Sequence, residues 1–167
     1  MIKEVKGNLL IYPGIEIVAH QCNCLGVWGG GIAKQIKSLY PKMFKDYYNY
    51  CKLPSDAHSI LGTVQFLHSD DGKQIYANMF GEYSFCESVA PYKEGEKPRH
   101  TDYDALKECL HWLHMFAILN RKKTIGIPFK LGCGLAGGNW EEVVYPMVKE
   151  EFENDKDITL YIVNFID

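Results

Sequence analysis

The sequence predicts an α/β protein with a largely parallel but mixed sheet and helices on both faces. Three observations carry this. Short runs rich in Ile and Val alternate with stretches of helical period. Two strand-like runs flank Ser69-Asp70-Asp71-Gly72, whose Asp-Gly makes them an antiparallel hairpin. Two glycine-rich loops, one around Gly29-Gly30-Gly31 and one from Leu131 to Asn139, each lead from a strand into a helix.

Taken in order, Ile2 to Val5 opens as a strand that ends in a turn at Lys6-Gly7-Asn8, and Pro13-Gly14 marks a second turn before the strand Glu16 to Ala19. After the glycines, Ile32, Ile36 and Leu39 fall on one helix face with Lys34 and Lys37 on the other. Pro41 stops that helix and starts the next, which carries Met43, Phe44, Tyr47, Tyr48 and Cys51 to Leu53-Pro54. The hairpin pairs Thr63–Leu67 with Gln74–Met79. Gly81 to His100 has neither period and reads as a long loop of the kind that carries function. Thr101-Asp102 caps a helix with Leu106, Leu110, Leu113 and Ala117 on one face. Thr124–Pro128 is a short buried strand, Trp140–Phe152 a helix and Thr159–Phe165 a closing strand.

A chain of 167 residues, 47% hydrophobic, buries one good core, so a single domain over 1–167 is expected. With 18 basic against 21 acidic residues and a net charge of −3, no field draws in nucleic acid or an anionic membrane, which turns attention to a small ligand. No apolar run approaches the roughly 20 residues of a membrane span, and the N-terminus lacks a signal core. A cytoplasmic protein with reduced thiols and no membrane partner is expected. The set His20, Cys22, Cys24 invites a zinc reading, but extended backbone chelates poorly and no CxxC pair occurs elsewhere, so core cysteines and no metal are expected. Cys133 is open to two readings: a thiol of lowered pKa near a helix start, or a small residue suited to a tight loop.

The glycine loops set the ligand. Glycine lets backbone come close to a bound group, and a following helix offers unpaired amides and a positive dipole end to phosphate. Neither GxGxxG nor the P-loop pattern is present, so neither standard nucleotide fingerprint applies. Two such loops at the carboxyl edge of one sheet fit a pyrophosphate.

In order, KGNLL, AHQCNC, WGGGIA and GCGLAGGNW resemble a macrodomain, the ADP-ribose-binding module, over almost the whole chain. HQCNCLGVWGGGIAKQI with LYPK and KDY is most similar to the ADP-ribose 1''-phosphate phosphatase branch, whereas the second loop looks more like the branch that removes ADP-ribose from glutamate. The resemblance implies a three-layer α/β/α sandwich with about six strands. It implies ADP-ribose or a derivative as ligand, ADP-ribosylated macromolecules as further partners, a monomer and no cofactor. Asn8, beside Leu9, stands where the family has an Asp for the adenine amino group; its plain alternative is a turn or cap residue. Asn23 matches a distal-ribose Asn and is a candidate catalytic residue. Gly30, Gly31 and Ile32, with Trp28 and Gly29 before them, match the loop around that ribose. Gly132, Cys133, Gly134, Leu135, Ala136 and Gly137 match the diphosphate loop, flanked by Phe129.

The Lys and Asp used by the glutamate branch align with Phe80 and Ala136, which cannot react. His20 matches a His of the phosphatase branch, where imidazole can act as acid, base or nucleophile. Its plain alternative is a core His bonded to a neighbouring strand. The other histidines have no such context, and Glu82 and Glu87 read as solvated loop charges, with a catalytic carboxylate among them, Asp102 and Asp104 as the lesser alternative. Three readings stay open: a phosphatase of ADP-ribose 1''-phosphate, a hydrolase of ADP-ribosyl adducts on protein, nucleic acid or acetate, and a reader that does no chemistry.

Overall fold

A computed structural model describes residues 1–166. Six strands form one sheet: β1 (Ile2–Gly7), β2 (Ile17–Asn23), β3 (Val64–His68), β4 (Ile75–Glu82), β5 (Thr124–Pro128) and β6 (Thr159–Phe165). Their order is β1-β6-β5-β2-β4-β3. All pairings are parallel except β3 with β4, the hairpin. The helices are α1 (Gly31–Leu39), α2 (Pro41–Lys52), α3 (Tyr103–Leu119) and α4 (Tyr145–Phe152). Among the described residues no helix is long and apolar enough to cross a membrane.

Strand alternation sorts the core into two layers. Ile17 and Ala19 of β2 with Ile75, Ala77 and Met79 of β4 pack against Leu106, Leu110 and Leu113 of α3 and Val148 and Phe152 of α4. On the opposite face Val18, Cys22, Tyr76 and Phe80 meet Ile36 of α1 and Met43 and Tyr47 of α2. This is the expected three-layer sandwich. The outer strands stay short of full burial, while β2, between β5 and β4, is buried on both faces, as its near-continuous apolar run requires.

Local chemistry sets the ends. Pro41 opens α2 in its first turn. Asp102 caps α3 by accepting from the Ala105 amide at 3.0 Å, and Thr101, expected to share that role, does other work. Trp140–Phe152 is not one α-helix: Trp140–Val144 is a π turn, and α4 starts only at Tyr145. Pro146 explains it. Proline has no amide for the carbonyl four residues back and its ring crowds that carbonyl, and a widened turn relieves both.

Two strands run further than the sequence suggests. β2 continues through His20 to Asn23, and β4 continues through Gly81 to Glu82. The pairing of the two slips between Gln21 and Asn23, leaving Asn23 opposite Glu82. An isolated bridge joins Glu82 to Thr101, fixing the exit of the long loop as well as its entry.

Candidate functional site

The carboxyl ends of β1, β2, β4, β5 and β6 surround a cavity of about 880 Å³, within the range of small-molecule sites. Both glycine loops line it. From the first come Trp28, Gly29, Gly30, Gly31 and Ile32, and from the second Gly132, Gly134, Leu135 and Ala136. They touch: a Cβ built on Gly30 would stand 2.9 Å from the Leu135 side chain. At one end Asn8, Leu9, Pro128, Phe129, Val163 and Phe165 make a largely apolar wall, and at another Gln21, Asn23, Glu82 and His100 add polar groups beside Phe85.

Along both loops the cavity wall is largely backbone. Gly31 begins α1, whose first amides have no partner within the helix and lie along the cavity. Gly31 has φ +56, and a Cβ on it would meet no protein atom within 4 Å, so it would project into open space. In the second loop Gly132 has φ +70, and a Cβ there would stand 2.9 Å from Gln21 Oε1 and 3.1 Å from Thr101 Oγ1. Lys130 is the single lysine or arginine in the lining.

The second loop is held by buried Thr101. Its hydroxyl donates to Gly132 O at 2.6 Å and accepts from Gln21 Nε2 at 2.8 Å. The amides of His100 and Thr101 both donate to Ala136 O, at 2.7 and 3.1 Å. Gly137 does not line the cavity; it backs onto Pro98 and Arg99 of the long loop. Cys133 is also turned away, donating from Sγ to Leu131 O at 3.2 Å. Burial pushes its thiol up to about 11, which overturns the lowered-pKa alternative.

Of the two candidate catalytic residues, Asn23 lines the cavity and His20 does not. His20 does not line the cavity and has no exposed surface. It shares the face of Val18 and Cys22, where its Nε2 is 2.7 Å from Asn78 Oδ1 on β4, and its ring meets the edge of Trp28. Burial pulls its pKa down to about 4, with the Asn78 contact opposing. The plain reading of a core His bonded to the next strand therefore replaces the catalytic one.

Asn23 does line the cavity, but its carboxamide is committed. Its Oδ1 accepts from the amides of Leu25 (3.0 Å) and Val27 (3.2 Å) and from the Tyr47 hydroxyl (3.1 Å), while Nδ2 donates to Val27 O at 2.7 Å. It pins the first glycine loop, which leaves one N–H for a ligand. Trp28 supports the same loop. Only 2% exposed, it stacks on Tyr47 at 4.6 Å and donates to Cys22 Sγ at 3.3 Å. Among the described residues no cluster of three or more metal-binding side chains occurs, and all six cysteines are free thiols.

Asn8 caps the turn Leu9–Ile11, accepting from the Leu10 amide at 3.0 Å, and it also lines the apolar end. Ala136 lines the cavity as aligned. Phe80 does not: it is fully buried and stacks near Tyr47 and Tyr50. The side chain that β4 sends into the cavity is Glu82, two residues on. Burial alone pushes its carboxyl up to about 7. In the sequence Glu82 reads first as a loop charge and only second as a catalytic carboxylate, because Gly81 reads as the end of the strand. Gln21 sits in the AHQCNC run but is given no role by it, and His100 and Lys130 belong to no motif; the tertiary placement of Thr101 and Phe129 brings them in.

Comparison with known proteins agrees with this architecture. The Macro domain family model matches residues 19–147. The sequence is 29% identical to a protein of Saccharomyces cerevisiae (strain YJM789) called ADP-ribose 1''-phosphate phosphatase, over 96% of this chain and 97% of that one. Among solved structures, a Bacteroides thetaiotaomicron protein is 28% identical, with a TM-score of 0.78 over 98% of this chain and 99% of that chain. The macrodomain of Mycobacterium tuberculosis DarG is 24% identical and shares the fold, with a TM-score of 0.78 over 100% and 99% of the two chains.

Proposed function

The chain belongs to the Macro domain family, and from that premise we propose that it is an ADP-ribose-binding hydrolase that removes the phosphate from ADP-ribose 1''-phosphate. It acts as a single-domain cytoplasmic monomer. The observation that carries the reading is the convergence of two backbone-lined glycine loops on one cavity whose ends differ in chemistry. The apolar end, with Phe129, Leu9 and Asn8, suits a base with one polar edge. The amides of the two loops suit the diphosphate between them. The polar end, with Asn23, Gln21, Glu82 and His100, is left for the distal ribose and its 1''-phosphate. The near-full-length relative named as this phosphatase supports the substrate.

Incubation with ADP-ribose 1''-phosphate is expected to release inorganic phosphate, and calorimetry to give tighter binding for ADP-ribose than for AMP. Gly134→Val gives a test free of backbone strain. Gly134 lines the cavity, has no positive φ and has no atom within 4 Å of a built Cβ, so a larger side chain fits the protein and obstructs the ligand. An affinity loss of roughly tenfold or more, with an unchanged melting temperature, is expected. Equal binding of AMP and ADP-ribose would remove the two-loop basis. Cleavage of ADP-ribosylated protein or nucleic acid without phosphate release would favour the adduct hydrolase, and binding with neither activity a reader.

A further inference from the structure

The corner where β2, β4 and the second glycine loop meet holds an unusual acceptor. Among the described residues Gln21 Oε1 is the one buried side-chain nitrogen or oxygen with no hydrogen-bond partner. Its orientation is forced. Thr101 has a single hydroxyl proton and gives it to Gly132 O, so it must accept from Gln21, and the Gln21 amide nitrogen must face it. The carbonyl oxygen is thereby turned the other way. Around it the wall is cut back to bare backbone: a Cβ on Gly81 or Gly132 would stand 2.5 or 2.9 Å away. A buried acceptor left unpaired is costly, and with under 1 Å² of accessible surface this one meets a ligand O–H when the Gln21 side chain shifts toward the cavity that the residue lines.

Glu82 follows Gly81 directly and lines the same cavity, opposite Asn23 across the slipped pairing. The bridge to Thr101 and the Cys24 thiol, which donates to Glu82 O at 3.5 Å, fix its backbone. The other titratable groups around it are Cys22 on β2 and Cys24 just past its end, both pushed up by burial, and His100 and Lys130 in the same lining. No charged partner holds the carboxyl ionised, and burial alone sets its raised pKa, so near neutral pH it is available in the protonated form.

We propose that Glu82 is the general acid of the hydrolysis and that Gln21, by accepting a hydrogen bond from a distal-ribose hydroxyl, positions the leaving sugar oxygen beside it. This rests on the phosphatase reading above. In the step, a water oxygen forms a bond to phosphorus while the bond from phosphorus to the sugar oxygen breaks. The electron pair stays on the sugar oxygen, which takes the Glu82 proton. The attacking water keeps one proton as part of hydrogen phosphate and releases the other, and the Glu82 carboxylate regains a proton from solvent. The products are ADP-ribose and inorganic phosphate.

The test measures phosphate release between pH 5 and 9 for the parent, Glu82→Gln and Glu82→Asp, with ADP-ribose affinity by calorimetry. For the parent, kcat is expected to fall as pH rises through about 7. Glu82→Gln should lower kcat by about 10²-fold or more, abolish that fall and leave ADP-ribose affinity within about threefold, and Glu82→Asp should keep part of the rate. Phosphate release by Glu82→Gln within about threefold of the parent, or the same pH dependence in both, overturns the role of Glu82 while leaving the phosphatase reading intact. A parent that binds ADP-ribose yet releases no phosphate overturns the phosphatase reading itself, and the role of Glu82 with it.

Discussion

His20 and Glu82 differ in what surrounds them: His20 is sealed in the core, whereas Glu82, at the end of its strand, lines the cavity. His20 points under the α1–α2 layer, where its ring bonds Asn78, and Asn78 in turn donates to Gln65 Oε1 at 3.1 Å, linking β2, β4 and β3. Removing the imidazole breaks that link and leaves a small void beside Trp28. His20→Ala is therefore expected to cost about 1–3 kcal/mol of stability with kcat for phosphate release unchanged in the folded fraction. A denaturant titration and an assay on the same sample check both halves. A selective loss of kcat at full stability would return His20 to the chemistry.

The element that organises the site is the second glycine loop, and its stability comes from a neighbour far away in sequence. Thr101 ties Gly132 to Gln21 through one hydroxyl. Thr101→Val keeps the shape and removes the hydroxyl, leaving Gln21 Nε2 without its partner. It should cost about 1–3 kcal/mol and weaken ADP-ribose binding. Asp102→Ala, next to it, removes a helix cap at about 1 kcal/mol and should leave binding alone; calorimetry and thermal melts on the two variants separate these roles. The sequence makes much of this frame readable, because strands, helices and caps are governed by local periodicity and local hydrogen bonds. The two glycine loops and the cap at Asp102 stand out for that reason. What stays hidden depends on contacts across the sheet. Nothing in the run from Ile17 to Asn23 says which face His20 will take, since both faces of β2 are buried. Gly81 reads as a breaker, although its missing side chain is what lets Gln21 lie against β4. The π turn before Pro146 is hidden because a proline there can equally end a helix or widen it.

For the whole molecule, buried His20 and half-buried Glu82 pull stability against pH in opposite directions. The pKa of His20 is lower in the fold, about 4 against an ordinary 6.5, so the unfolded chain binds more protons between these values and stability falls as pH drops through that window. The pKa of Glu82 is higher in the fold, about 7 against 4.5, so the folded chain holds the extra proton and stability falls as pH rises through that window. Glu82→Gln keeps the shape without the charge. It is expected to melt above the parent at pH 8 and level with it at pH 5, and equal melting temperatures at both would mean that the carboxyl is not burdened by burial. The cavity offers a ligand the backbone of two glycine loops and a single lysine, and this affects how the protein tolerates genetic change. Such a site is encoded in backbone conformation, so an alanine scan would find few residues whose loss matters. Sensitivity concentrates instead where a side chain is gained, at positions that have none.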